Sequence, residues 1–274
     1  MVAWAPRQRY DRTSGMCTLA AFVRVIDGLP LVVAANRDEF LARPTAAPAL
    51  LEQHPPRFGG RDLRAGGSWL VLARSGLVVG LLNRRAATNE TGERPSRGRL
   101  PVLLAAAADA AEAVEILRVE AAVGYAPFRL LLADRQAAFV AANLDLGLQV
   151  ERLEPGVHVL TNVAPDEGPC PRLHFCAPRM EALAARQRLL AHGLDGLVGD
   201  LRGVLAEHRA GNAGPFERPC IHLPEYGTRS TSIVALRGDA RAHWFHAEAA
   251  PCRGPLRELD LPWSSAAEAV LTTP

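Results

Sequence analysis

The chain has 274 residues, 31 basic against 29 acidic side chains, a formal net charge of +2, and 49% hydrophobic residues. This composition excludes a disordered chain, which would have fewer apolar residues and a larger net charge. It also lacks the basic excess typical of a nucleic-acid-binding protein, so we expect no nucleic-acid partner. Every basic residue is Arg, which excludes lysine nucleophiles, Schiff bases and Walker-type phosphate loops.

The first fifteen residues lack the apolar segment of a secretory signal. They contain three Arg and one Asp, which accounts for the whole net charge of the chain. Two interpretations remain open. Met16 is the initiator and residues 1–15 are an upstream extension, which we favour, or the segment is a short leader. We therefore expect residues 1–16 to be removed or non-native, and residues 17–274 to form a single domain.

Cysteine usage and apolar runs bear on the compartment. An odd number of Cys without a secretory signal predicts a reducing, cytoplasmic environment. No apolar run has the 18 or so residues that a membrane span needs, so we expect no integral membrane segment. The Cys residues lie at 17, 170, 176, 220 and 252 and show no metal-ligand spacing. The spacing therefore predicts no metal site.

Alternating apolar residues predict the first strands. Cys17–Ile26 and Leu31–Ala35 flank an Asp-Gly turn and read as a hairpin, with the polar residues 36–39 following the second strand. Prolines from Pro44 to Pro56 predict an extended loop, and paired glycines at 59–67 predict a turn-rich segment.

The later part of the chain alternates blocks of strands and blocks of helices. Strands are predicted over 68–73, 77–82, 128–133, 137–142, 148–153, 157–160, 231–237 and 241–246, and helices over 100–119, 178–192 and 194–209. Consecutive hairpins indicate antiparallel sheets, and blocks of helix indicate layers that cover them. We predict an α+β fold, a four-layer αββα sandwich of antiparallel sheets.

Short polar clusters mark four strand ends, at 36–39, 83–84, 161–162 and 227–230. Loops at strand ends often carry functional sites, because a rigid sheet positions them. The same residue types are also ordinary turn formers, and each cluster taken singly favours that simpler interpretation.

The presence of Cys17 favours a functional interpretation of these clusters taken together. If Met16 is removed, Cys17 carries a thiol and a free α-amine whose usual pKa of about 7.7–8.0 suits a general base. Arg37, Asp38 and Arg229 are candidates to stabilise the thiolate, and the Asn162 amide is a candidate oxyanion donor. The alternative is that Met16 is an ordinary residue and Cys17 a buried strand thiol.

Several motifs together carry a family resemblance. They are Met16-Cys17-Thr18-Leu19, Ala35-Asn36-Arg37-Asp38-Glu39-Phe40 with Arg43-Pro44, Gly66-Gly67-Ser68-Trp69-Leu70, Asn83-Arg84, Ser96-Arg97-Gly98 and Tyr226-Gly227-Thr228-Arg229-Ser230. This set resembles the NRDE family, also called the transport and Golgi organisation protein 2 family, from Met16 to about Leu236. The resemblance implies an N-terminal-nucleophile (Ntn) hydrolase-like αββα fold, similar to that of choloylglycine hydrolases and penicillin V acylases.

The resemblance also implies roles for individual residues. The choloylglycine hydrolases begin with Met-Cys and keep an Arg-Asn-x-Asp segment, whose Asn and Asp match Asn36 and Asp38. The Arg of that segment falls on Ala35, with Arg37 two places later. By the same resemblance Cys17 is the nucleophile, Asp38 orients its amine, and Asn162 and Arg229 stabilise the oxyanion. Arg37 is a secondary candidate. Further side chains near these clusters are expected to bind substrate: Asn36, Glu39, Arg43, Trp69, Asn83 and Arg84.

Two functions follow as expectations. The first is an amidohydrolase of non-peptide linear amides or related acyl compounds, with a small-molecule substrate and no required cofactor. The second, implied by the family's association with haem trafficking and acyl-lipid homeostasis, is a non-enzymatic carrier with haem as cargo. His158 and His174 are the candidate iron ligands, although nothing in their sequence surroundings favours that role.

Overall fold

The computed structural model describes residues 17–84, 94–144, 147–163, 168, 170–190, 193–208 and 214–263. Met16 and the predicted removal of residues 1–16 lie outside these described residues, as does the end of the chain after residue 263. Within the described part, no helix is both long enough and apolar enough to cross a membrane.

Alternating apolar segments form two antiparallel sheets. In chain order the strands are β1 (Thr18–Ile26), β2 (Leu29–Phe40), β3 (Thr45–Gln53), β4 (Pro56–Asp62), β5 (Leu70–Ala73), β6 (Val78–Asn83), β7 (Phe128–Ala133), β8 (Ala138–Leu144), β9 (Gly147–Arg152), β10 (Gly156–Thr161), β11 (Tyr226–Leu236), β12 (Ala242–Ala247) and β13 (Arg257–Leu259). One sheet has the order β10-β1-β2-β11-β12-β13 and the other the order β3-β4-β5-β6-β7-β8-β9. Hairpin connections therefore dominate, as antiparallel pairing allows.

In the part of the chain that the structure describes, four α-helices cover the outer faces of the sheets. They are α1 (Arg99–Leu104), α2 (Ala110–Glu120), α3 (Pro171–Leu190) and α4 (Gly193–Leu205). Leu104 and Leu117 pack with Val79 and Leu132 of the seven-stranded sheet, whereas Met180 and Leu201 belong to a cluster on the six-stranded sheet. Asp109 caps α2 by accepting a hydrogen bond from the backbone N–H of Glu112 at 2.8 Å.

The innermost layer lies between the two sheets. Leu31 and Val33 of β2 meet Leu70 and Leu72 of β5 there, and Trp244 is fully buried among them. Because side chains alternate along a strand, each sheet supplies one apolar face to this layer and the other to its helices. The observed arrangement is the four-layer αββα sandwich that the sequence predicted.

Several boundaries differ from the sequence predictions. Residues 36–39 and 227–230 lie inside β2 and β11, not beyond strand ends. The predicted Pro44–Pro56 loop contains β3, and the predicted turn at 59–62 is part of β4. The helix predicted from Pro178 begins seven residues earlier, at Pro171.

The physical reasons are tertiary. Residues 36–39 are paired with β11 across the sheet. Pro48 lies in β3 at one of the register irregularities against β4, where a missing N–H is tolerated. Gly60 sits in β4 because the Trp69 ring packs against it, 2.4 Å from where a Cβ would be. Close approach, and not a turn, requires glycine at that position.

Candidate active site

The two faces of β2 carry different chemistry. Ala35 packs into the layer between the sheets, and Arg37, two residues later, lies over Trp69 on that same side. Asn36 and Asp38 point the other way, toward elements outside the six-stranded sheet. The family resemblance aligns the Arg of the choloylglycine hydrolase segment with Ala35. Because side chains alternate along a strand, Arg37 lies on the same face of β2 as Ala35, two residues further along.

Cys17 lies directly before β1, at the mouth of the layer between the sheets. The register that pairs Thr18 with both Asn36 and Thr161 places Cys17 in the next row, between Arg37 and Asn162. The half-buried thiol lies 3.8 Å from the backbone carbonyl oxygen of Asp38, to which it donates a hydrogen bond. Pairing of β1 with two neighbouring strands thus brings three predicted site residues together.

Burial dominates the electrostatics of Cys17. Burial and, to a smaller extent, the negative charge of Asp38 together raise the pKa of the thiol to about 12, although the Asp38 carbonyl and the Arg37 guanidinium oppose that rise. At neutral pH such a thiol is almost wholly protonated, and a protonated thiol is a poor nucleophile. A base beside Cys17 is needed before this sulfur can attack a carbonyl carbon.

The Arg37 guanidinium is held in place by Trp69 and Glu39. Its central carbon lies 4.2 Å from the centroid of the Trp69 ring, and it forms an ion pair of 3.6 Å with Glu39. Only 6% of its side chain is exposed. A stacked guanidinium in a poorly hydrated position keeps its orientation, because cation–π attraction strengthens as water is removed.

Asp38 lies at the centre of a buried polar network. One carboxylate oxygen accepts a bond of 2.7 Å from Arg172 of α3, and the other accepts a bond of 2.5 Å from Thr228, its cross-strand neighbour. Arg172 and Asp38 are both fully buried as side chains. Burial raises the pKa of Asp38 to about 6, although Arg172 and Thr228 oppose that rise.

Asn36 is engaged in structural bonds on the same face. Its Nδ2 donates 2.9 Å bonds to the carbonyl oxygens of Leu205 and Pro219, and its Oδ1 accepts a bond of 2.7 Å from Thr231. The amide therefore ties the end of α4 and a later loop to the sheet. The predicted contribution of Asn36 to substrate binding remains a prediction.

Asn162 has the features of a hydrogen-bond donor at the cleft. One Nδ2 hydrogen is donated to the backbone carbonyl of Asn83, which leaves the second hydrogen of the amide uncommitted by that bond. Its Oδ1 is buried and has no hydrogen-bond partner among the described residues. The Asn83 side chain itself is exposed at the end of β6.

A cavity of about 310 Å³ opens above Cys17. Besides Cys17, Asp38 and Asn162, its lining includes Arg37, Glu39, Arg43, Asp62, Arg64, Trp69, Asn83 and Arg97. Arg43 is paired with Asp62 at 2.7 Å and Arg37 with Glu39, whereas Arg64 is exposed at the rim. Among the described lining residues, four guanidinium groups face the carboxylates of Glu39 and Asp62, because the Asp38 carboxylate is fully buried against Arg172. The lining therefore has an excess of positive charge.

Besides Asn36, the predicted site residues Arg229 and Arg84 also point away from this cavity. Arg229 is the unpaired residue of a β-bulge, between the pairs Thr228–Asp38 and Ser230–Arg37, and it donates to the Leu41 carbonyl and to Thr45. A bulge redirects a side chain in this way. Arg84 donates to the carbonyl oxygen of Asn143 on β8 at 3.4 Å. Neither residue lines the cavity above Cys17.

Arg172, Thr228 and Arg97 were not identified from the sequence as site residues. Thr228 and Arg97 lie in motifs that the family resemblance quoted, but they received no role. Arg172 gives no sequence signal, because an Arg in the first turn of a helix opposes the helix dipole and is not expected there. Its ion pair with Asp38, 134 residues earlier in the chain, explains the position.

The family model for "Transport and Golgi organisation 2" matches residues 16–250. The chain belongs to that transport and Golgi organisation 2 family. The transport and Golgi organization protein 2 homologs of Bos taurus and Homo sapiens are each 28% identical over 76% of this chain and 83% of their own length. The transport and Golgi organization protein 2 of Drosophila melanogaster is 40% identical to this chain over 73 residues.

Two solved structures have a fold similar to that of this family member. Penicillin V acylase from Agrobacterium tumefaciens aligns with a TM-score of 0.57 and 14% identity, covering 89% of this chain and 86% of the acylase. A variant of conjugated bile acid hydrolase from Clostridium perfringens aligns with a TM-score of 0.55 and 14% identity, covering 89% and 92%. At this identity the likeness shows the Ntn hydrolase fold alone.

Arg37 and Arg229 are both candidates to stabilise the Cys17 thiolate, and an alkylation experiment can distinguish them. Because the Arg37 charge lowers the pKa of the Cys17 thiol, Arg37→Gln is expected to raise that pKa and to slow alkylation of Cys17 by iodoacetamide, by up to about tenfold per pKa unit. Arg229→Gln is the matched control and should leave the rate nearly unchanged. Peptide mass spectrometry of time-quenched samples measures both rates, and the opposite ranking would contradict this assignment.

Proposed function

We propose that this chain is a cysteine Ntn amidohydrolase, which cleaves the C–N bond of a non-peptide linear amide or a related acyl compound. The observation that carries the proposal is the position of Cys17 at the cavity, in the row between Arg37 and Asn162. The family match supports it as well, because it begins at residue 16, immediately before this cysteine.

The proposed chemistry begins with the release of the Cys17 α-amine. The half-buried thiol has a raised pKa and needs a base, and a free amine on the same residue lies within reach to accept its proton. The sulfur then attacks the amide carbonyl carbon, and the C–N bond breaks as the ammonium returns its proton to the leaving nitrogen. Water hydrolyses the resulting thioester, which releases the acid and restores Cys17.

The surrounding side chains have proposed supporting roles. The second Nδ2 hydrogen of Asn162 is the oxyanion donor, and Arg37 supplies positive charge beside the sulfur. Asp38 is a positioning residue whose carboxylate, held by Arg172 and Thr228, favours the protonated amine electrostatically. The family resemblance implied instead that Asp38 orients the amine directly.

The excess of Arg at the cavity suggests the type of substrate. Guanidinium groups bind carboxylates and phosphates in bidentate geometry, and Arg64 at the rim is exposed to incoming ligand. We therefore expect an acyl compound with an anionic group. The structurally similar proteins are a penicillin V acylase and a conjugated bile acid hydrolase, so penicillin V and conjugated bile acids are the first probes.

The test follows the amine and the products together. A chain initiated at Met16 is expected to show an intact mass that begins at Cys17, and to release amine from at least one anionic N-acyl probe. Denaturation during turnover should trap an acyl group on the Cys17 peptide. Hydrolysis by a chain that still carries Met16, or an acyl group on another residue, would overturn the proposal.

A further inference from the structure

A second cluster of reactive side chains lies outside the cleft. His208 follows α4, Cys220 and His222 precede β11, and Cys252 follows β12. One ligand atom from each of the four lies within 4.8 Å of every other. The sequence predicted no metal site, because the ligands come from three separate segments and only Cys220 and His222 are close along the chain.

The distances match those of tetrahedral coordination. The Cys220 and Cys252 sulfurs are 3.6 Å apart, and the Nε2 of His222 lies 3.3 Å from the first and 3.1 Å from the second. Around a tetrahedral Zn²⁺, bond lengths of about 2.3 Å to sulfur and about 2.0 Å to nitrogen give S–S separations near 3.8 Å and S–N separations near 3.5 Å. Small side-chain adjustments would fit the ion.

One ring nitrogen of His208 forms a hydrogen bond that would orient the imidazole for binding a metal through the other. Its Nδ1 lies 2.9 Å from the Ala206 carbonyl oxygen, so this nitrogen donates its proton there and Nε2 carries the lone pair. The His208 and His222 rings meet edge to face, with centroids 4.9 Å apart. Cys220 is buried and both His residues are exposed, which leaves an entry path for an ion.

We propose that His208, Cys220, His222 and Cys252 bind one Zn²⁺ as a structural Cys₂His₂ site. Two thiolates and two neutral imidazoles neutralise the ion and fill all four positions, which is the pattern of a structural and not a catalytic zinc. Both thiols lose their protons to solvent as the ion binds, so no redox partner is needed.

The site would hold a segment that supports the cleft. Ile221, between two of the ligands, donates its N–H to Thr228 at 2.9 Å and accepts the Thr228 N–H at 3.0 Å. Thr228 in turn donates to Asp38. Zinc at this position therefore fixes the backbone that orients Thr228, and loss of the ion would loosen the Asp38 network.

The first test uses the full chain, purified under reducing conditions without chelator. Elemental analysis by plasma mass spectrometry is expected to find about one zinc per chain. X-ray absorption at the zinc edge should show two sulfur and two nitrogen neighbours, and Co²⁺ exchanged for zinc should give thiolate charge-transfer bands. A zinc content near zero, a shell without sulfur, or a Cys220–Cys252 disulfide would overturn the proposal.

Matched variants test the assignment of the ligands. His222→Gln and Cys252→Ser are expected to lose most of the bound zinc, whereas His174→Gln, an exposed histidine outside the cluster, should retain it. Cys17→Ala should also retain zinc, so the outcome is independent of the proposed amidohydrolase. If His222→Gln and Cys252→Ser both fold and keep full zinc, these side chains do not bind it.

Discussion

Cys17→Ala is expected to lower kcat/KM for any amide that the chain hydrolyses by at least about a thousandfold, because loss of a nucleophile leaves only the contributions of binding and the oxyanion donor. Attaching residues 1–16 through a non-cleavable bond should have an effect of similar size. The thiol then keeps its pKa near 12 and has no adjacent amine to accept its proton. Initial rates with the most active N-acyl probe measure both losses.

A matched control separates chemistry from folding. Cys176→Ser alters a buried thiol on α3, which does not line the cleft, and should leave kcat/KM within a few-fold of the parent value. Unchanged turnover in Cys17→Ala would exclude Cys17 as the nucleophile. If the parent chain hydrolyses no probe and Cys17→Ala binds haem or acyl ligand as tightly as the parent, the carrier alternative is favoured instead.

Arg172→Met is expected to lower the free energy of unfolding by about 3–5 kcal/mol at neutral pH, because it leaves the fully buried Asp38 carboxylate without its cation. The pH dependence has a definite sign. Arg172 lowers the pKa of Asp38, so its removal raises that pKa above the parent value of about 6. A raised native pKa for an acid makes folding take up a proton, and the deficit should therefore shrink as the pH falls toward 6.

Urea unfolding of three variants at several pH values measures this effect. Asp38→Asn combined with Arg172→Met removes both charges and should recover part of the lost stability. Arg179→Met, an exposed position over Phe175 on the same helix, should change the free energy of unfolding by less than about 0.5 kcal/mol. A small loss in Arg172→Met that does not vary with pH would contradict the importance of this ion pair.

Local patterns in the sequence were sufficient for the layers of the fold. Apolar alternation identified β1 and the hairpin of β5 and β6, and the Ala- and Leu-rich segment identified α1 and α2. Alternation could not identify β3 or β4, because Pro48, Gly59 and Gly60 are typical of loops. Their strand conformation is fixed by cross-strand partners and by the Trp69 ring, which are contacts that local patterns do not encode.

The candidate site likewise contains residues that the sequence could predict and residues that it could not. Cys17, Arg37 and Asn162 could be selected from residue type and family resemblance, and the strand register brings them into neighbouring rows. The direction of Arg229 could not be predicted, because a one-residue bulge in β11 decides it. Arg172 and the four proposed zinc ligands depend on contacts between distant segments, since Arg172 follows Asp38 by 134 positions and Cys252 follows His222 by 30.

The opposite orientation of neighbouring residues on β2 has an evolutionary consequence. Odd-numbered positions such as Arg37 and Glu39 line the cavity above Cys17, while the side chains of Asn36 and Asp38 bond to the end of α4 and to helix α3. Selection for a new substrate can therefore act on one set of positions, while selection for stability acts on the other. Within the Asn-Arg-Asp-Glu run, relatives that differ in ligand should diverge at every second residue.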